Sequence, residues 1–171
     1  MQTAYIERMK RHWVKTLGLA YSEALVRGWL QIEQAFCRPR SKHTKLQILT
    51  LPTGAGKTEA IKVFCSMPEV INHPGALIVT RFRDEADKIA RGINDLVTGK
   101  LAQAIHGEAH QDGTELGFVP VLVTTHAAFR LALQELANSG SSRKWNRLRK
   151  YHCGDRGMLI IDEAFDFIDS Y

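Results

Sequence analysis

The order of apolar runs and helical stripes along this chain predicts an α/β fold, a three-layer domain with a mainly parallel sheet, preceded by an N-terminal helical segment. Three observations carry that expectation. Ala76-Leu77-Ile78-Val79, Val119 to Thr124 and Met158 to Ile161 are short, almost continuously apolar stretches, as strands covered on both faces should be. Segments with apolar residues three and four apart separate them, so the crossovers are helical and the strands parallel. Leu46 to Leu51 runs into a loop with two glycines and then into a helix pattern, a strand-loop-helix order.

In chain order, Ile6, Met9, Trp13 and Leu17 recur at helical spacing within Ala4 to Leu17, among Arg8, Lys10, Arg11 and Lys15. They predict an amphipathic helix that Gly18 ends. Ser22 is placed to cap a second helix, whose stripe Leu25, Trp29, Ile32 and Phe36 runs for three turns. This pair is expected to pack on the domain that follows, beyond the polar, proline-broken stretch Arg38 to His43. Leu46 to Leu51 is the first expected strand. The helix opening at Lys57 uses Ala60, Ile61 and Phe64 as its apolar face and stops at Met67-Pro68. Gly75 starts the second strand, and Ala86, Ile89, Ala90, Ile93 and Leu96 mark the helix after it. Leu101 to Ile105 is expected as a short strand and Val119 to Thr124 as a stronger one. The helix after it carries Phe129, Leu133 and Leu136 and stops near Asn138-Ser139-Gly140. A basic segment, Arg143 to Tyr151, leads to the last strand, and ligands are expected at the carboxyl ends of the strands.

A length of 171 residues fits one domain with a substantial core, here residues 45–171, preceded by a helical segment and linker at residues 1–44. The hydrophobic fraction of 44% and charged fraction of 24% are those of a soluble globular protein. No apolar run approaches the ~20 residues of a membrane span, and basic residues interrupt every apolar segment near Met1, so a cytoplasmic location without a membrane partner is expected. Cys37, Cys65 and Cys153 are odd in number and widely spaced, the pattern of free thiols. A net charge of +5 fits a polyanionic partner.

The loop Pro52-Thr53-Gly54-Ala55-Gly56-Lys57-Thr58 has the chemistry of a phosphate cradle. Gly54 and Gly56 let successive N–H groups turn toward one anion, together with Thr53 and Ala55. Lys57 can reach the outer phosphates and Thr58 can offer its hydroxyl to a magnesium ion. The strict pattern asks for glycine where Leu51 stands. The second signal is Asp162-Glu163 at the end of an apolar strand, on the same sheet edge as the expected cradle. Asp162 would hold magnesium through water, and Glu163 would orient and deprotonate the attacking water.

Pro-Thr-Gly-x-Gly-Lys-Thr at Pro52 to Thr58 resembles motif I of the superfamily 2 helicases and translocases, in which the first glycine is commonly replaced, and Asp162-Glu163-Ala164-Phe165 resembles their DExx motif II. Leu77 to Arg81 is similar to motif Ia and Val123 to His126 is placed like motif Ib. The resemblance covers residues 46–166 and implies the first RecA-like ATP-binding domain of a DNA- or RNA-dependent motor. ATP and Mg2+ would be its cofactors, with Lys57 and Glu163 in catalysis. Nucleic acid would lie on Thr80, Arg81, Thr124 and Thr125. Phe165 stands where the named subfamilies have Asp or His, so their polar relay is absent or rerouted, and no Q motif precedes Leu46. In that family a further strand and a second RecA-like domain follow motif II, in the same chain or from a partner. The 171 residues alone are therefore expected to bind nucleotide poorly and to be weak or inactive in hydrolysis.

Two alternatives stand beside the motor: another phosphate-loop ATPase subunit, and a nucleotide- or nucleic-acid-binding module that does not turn over. Gln31 and Gln34 read as solvated helix residues or as adenine contacts. Arg143 to Tyr151, with five basic residues around Trp145 and Tyr151, reads as a solvated basic face or as a place where phosphates bind and bases stack. His106 and His110 lie four apart without an evident third metal ligand.

Overall fold

Residues 2–37, 47–68, 75–106 and 118–162 are described in a computed structural model of the chain, which divides into two compact units, Met1–Phe64 and Cys65–Tyr171. The first unit is helical. Helix α1 (Gln2–Arg11) passes directly into a π-helical turn, His12–Thr16, and α2 (Glu23–Cys37) follows. Ser22 caps α2 as its position suggests, its hydroxyl accepting from the Leu25 N–H at 3.3 Å. Helix α3 (Lys57–Cys65) packs beside both: the Tyr5 hydroxyl donates to the Ala60 carbonyl at 3.3 Å, and the Phe64 ring meets Tyr5 at 5.8 Å and Phe36 at 4.6 Å. Trp29 and Met9 are fully buried at the centre of this packing, and the Trp13 and Trp29 rings lie 5.3 Å apart.

One expected strand is absent. Gln47 to Leu51 has no strand structure, and Leu46 lies outside the described residues. A strand holds only against a neighbour that accepts its backbone groups. All described strands lie in the second unit, and Ile48 is 81% exposed. The segment's apolar alternation therefore has no sheet to join among the described residues, and the loop after it is held by helices instead.

The first unit also buries a carboxyl group. Glu33 is 2% exposed on α2, and neither of its oxygens has a hydrogen-bond partner among the described residues. Burial pushes this carboxyl above the ordinary carboxylate range.

The second unit is built on a four-stranded parallel sheet of β1 (Ala76–Thr80), β2 (Ala102–Ile105), β3 (Val121–Thr125) and β6 (Met158–Ile161), in the order β2-β3-β1-β6. Strands β1 and β3 are buried along their whole length, which explains their unbroken apolar sequence. Helix α4 (Arg83–Asn94) follows β1 and buries Ala86, Ile89, Ala90 and Ile93. Helix α5 (His126–Ser139) follows β3, and its Phe129 and Ala132 join Leu77, Val79 and Leu122 in the core of one sheet face. The α5 helix ends as the sequence predicts, with Gly140 left-handed at φ +67° and its N–H on the Leu136 carbonyl. From β1 the chain moves to one side of the sheet and from β3 to the other. Right-handed crossovers then place α4 and α5 on opposite faces.

Helix α6 (Arg143–Arg149) leads into a short antiparallel hairpin of β4 (Lys150–Tyr151) and β5 (Gly154–Asp155). Arg156 anchors it from inside. Its guanidinium donates to the carbonyls of Leu148 at 3.0 Å, Lys150 at 2.8 Å and Val119 at 2.7 Å, and burial draws its pKa down to about 10. Cys37, Cys65 and Cys153 are free thiols, and no described helix is long and apolar enough to cross a membrane.

Candidate functional site

The glycine loop is shaped from within. The Ala55 N–H closes a four-residue turn on the Pro52 carbonyl at 3.2 Å, with Gly54 at its third position and φ +81°, a conformation that suits glycine. Gly56 also has positive φ, +70°, and its carbonyl accepts the first α3 bond, from the Ala60 N–H at 2.8 Å. The Gly56 N–H and the first N–H groups of α3 are thereby at a helix start, where no intrahelical acceptor exists for them. Lys57 folds back across the loop, its ammonium donating to the Leu51 carbonyl at 3.0 Å. Positive charge and backbone donors converge in one short segment, as anion binding requires. Thr53 and Gly54 are exposed, Ala55 is buried, and Lys57 and Thr58 are half-buried.

The π-helical turn His12–Thr16 and helix α2 brace this loop. The Trp29 indole N–H donates to the Ala55 carbonyl at 3.1 Å in a buried bond. The Trp13 ring lies flush on Gly56: a Cβ added there would come within 2.4 Å of the ring. The Trp13 indole N–H is fixed in turn on the Ala20 carbonyl at 3.0 Å. One residue past Thr58, Glu59 accepts from His12 at 2.7 Å and from Lys62 at 2.6 Å. Burial would raise the Glu59 carboxyl, but the hydrogen bonds from Lys62 and His12 outweigh it and hold the group below its usual range. None of these supports is legible as a motif, since the tryptophans read in sequence simply as members of apolar stripes.

In the second unit the sheet lines up a different set of groups. Val79 is in register with Ile161 and with Thr124, so Asp162, Thr80 and Thr125 form one row across the carboxyl ends of β6, β1 and β3. At ~4.8 Å between strands the outer two backbones are about 10 Å apart. Asp162 is half-buried, its N–H extending the ladder to the Val79 carbonyl at 2.8 Å. Glu163 lies outside the described residues, as do Ala164 and Phe165. The Thr80 hydroxyl donates to Glu85 at 2.8 Å and the Thr124 hydroxyl to the Ile105 carbonyl at 3.0 Å, and both residues are buried. These two hydroxyls are engaged inside the fold. Thr125 caps α5, accepting from the Ala128 N–H at 3.3 Å.

Beside that row lies a hollow of about 420 Å³ lined by Arg81, Phe82, Arg83, Asp84, Thr125 and Ala127. It falls between the ends of β1 and β3, where the chain departs to opposite sides, the usual ligand crevice of such sheets. Phe82 is 55% exposed and carries the Arg81 guanidinium 5.1 Å above its ring centre. Asp84 and Glu85 occupy the first turn of α4, so attraction for an anion here comes from Arg81 and Arg83 rather than from the helix dipole.

The aromatic residues of the basic segment turn toward the core. Trp145 packs on the core with its ring edge-on to Phe129 at 6.0 Å, and Tyr151 is buried beneath Arg156. Within the same segment Lys144 pairs with Glu135 at 2.9 Å and Arg149 with Asp155 at 3.4 Å. Phe82, to which no sequence motif points, is an exposed ring beside basic side chains. His106 pairs with Asp87 at 3.2 Å, and among the described residues no three His, Cys, Asp or Glu side chains are grouped to hold a metal. No protein-family model and no curated protein matches the chain, so its own residues carry the functional reading.

Proposed function

We propose that the chain is the ATP-binding domain of a nucleic-acid-dependent ATPase of the superfamily 2 helicase or translocase type. One observation carries this most strongly: a loop with two positive-φ glycines opens α3 with Lys57-Thr58, so backbone donors and an ammonium converge on one short segment. The donor set fits a nucleoside triphosphate. Thr53 to Thr58 would hold its phosphates, with Lys57 on the outer ones. Magnesium would be held by Thr58 and Asp162, a hydroxyl and a carboxylate being the hard oxygen donors it takes. Bound magnesium and triphosphate supply the polarised phosphoryl group, and Glu163 is assigned to orient the attacking water. The crevice of Arg81, Phe82, Arg83 and Thr125 is assigned to the nucleic-acid strand. A nucleotide-binding module that does not turn over is the second reading, favoured by the lack of strand structure in Gln47 to Leu51 before the loop.

ATP turnover measured with and without single-stranded DNA or RNA tests the reading. The crevice has its own test. Each phosphate neutralised contributes about −0.7 to the log–log salt slope of single-strand binding, so replacing Arg81 and Arg83 together by alanine should flatten the slope by about 1.4. Phe82→Ala should weaken binding by about 1–3 kcal/mol and leave the slope unchanged, because stacking releases no counterions. A slope unchanged in the double variant would remove the crevice from the binding surface.

A further inference from the structure

We infer that Trp29 is a positioning residue for the phosphate loop, setting the direction of the Gly56 N–H through the Ala55 carbonyl; the inference rests on the nucleotide reading of the loop. In a trans peptide the C=O and the following N–H point in opposite directions. The indole N–H of fully buried Trp29 holds the Ala55 carbonyl toward α2 at 3.1 Å, so the Gly56 N–H is turned away from α2. The Trp13 ring covers the side of Gly56 on which a side chain would stand, so an anion cannot approach there. Both rings are themselves fixed, Trp13 on the Ala20 carbonyl and against Trp29 at 5.3 Å.

This bracing takes over a task that sheets ordinarily perform. A glycine loop with φ of +81° and +70° at two positions has many alternative peptide orientations, because glycine populates both halves of φ space. A strand entering such a loop would limit them, yet Gln47 to Leu51 has no strand structure. The Ala55–Gly56 peptide is instead fixed from α2 by one hydrogen bond. Without that donor the buried Ala55 carbonyl loses its partner and the peptide is free to rotate, carrying the Gly56 N–H out of alignment with the donors at the start of α3.

The test removes the donor and keeps an aromatic side chain, of the same shape as indole in the second variant. Trp29→Phe, and the chain carrying benzothienylalanine at position 29, where sulfur replaces the N–H, are compared with wild type and Lys57→Ala. Calorimetric titration with Mg-ATP and with inorganic triphosphate gives affinity and number of sites separately. The expected result is a loss of about five- to tenfold in affinity for both ligands, with one site per chain retained. A role confined to stability would instead lower the number of sites and leave the affinity of the folded fraction unchanged. Either that result, or wild-type affinity in both donor-free variants while Lys57→Ala binds weakly, overturns the inference and leaves the nucleotide reading standing. If wild type itself binds neither ligand, or Lys57→Ala binds both as well as wild type does, the nucleotide reading fails and this inference with it.

Discussion

Replacing Lys57 by alanine should lower Mg-ATP affinity by at least about tenfold, since a charge-assisted contact is worth about 1.5–3 kcal/mol. The Lys57 ammonium already lies across the loop, 3.0 Å from the Leu51 carbonyl. That acceptor is a neutral backbone oxygen, which an outer phosphate would replace with an anionic one. The folded state should tolerate the change, because that carbonyl belongs to a segment already largely exposed to water. Equal affinities in the two proteins, measured by titration calorimetry, would remove Lys57 from the binding site.

Gly56→Ala should be the most damaging substitution in the first unit. A methyl group there meets the Trp13 ring at 2.4 and 2.8 Å, and the residue would keep φ near +70°. The left-handed conformation costs about 1–2 kcal/mol and forced overpacking about 1–3 kcal/mol more. Trp13 cannot swing aside cheaply, since its N–H is bonded to the Ala20 carbonyl and the ring is 6% exposed. Gly54→Ala is the matched control: its φ is +81°, but a methyl group would meet nothing within 4 Å. It should incur only the conformational cost. Denaturant unfolding of both variants, followed by tryptophan fluorescence, should therefore show Gly56→Ala well below Gly54→Ala in stability. Equal losses would mean that Trp13 does not press on the loop.

Much of the second unit is legible in the sequence because period and punctuation agree there. The buried runs at Ala76 and Val121 are apolar without alternation, α4 keeps its stripe from Ala86 to Ile93, and Gly140 stands where a left-handed cap ends α5. The β4–β5 hairpin escapes such reading because two residues per strand show no period. Trp145 escapes it because its basic neighbours suggest a solvated face. The three-residue step from Trp145 to buried Leu148 is the signal that it turns inward.

The site divides along the same line. Gly54, Gly56, Lys57 and Asp162 stand out locally, since each follows from a short motif. What holds them does not: Trp29 and His12 are 26 and 47 residues from the groups they bond, distances no local pattern spans. The missing strand at Gln47 to Leu51 is the same lesson reversed. Its residues suit a strand, but strand structure depends on neighbours, and its side chains alone do not supply them.

The most direct test of a nucleic-acid-dependent ATPase is steady-state ATP turnover by the purified chain, with Mg2+, in the presence and absence of single-stranded DNA or RNA, beside Lys57→Ala. Slow magnesium-dependent release of phosphate should rise when nucleic acid is added and be lost in the variant. Turnover that ignores nucleic acid, or that survives unchanged in Lys57→Ala, would contradict this reading.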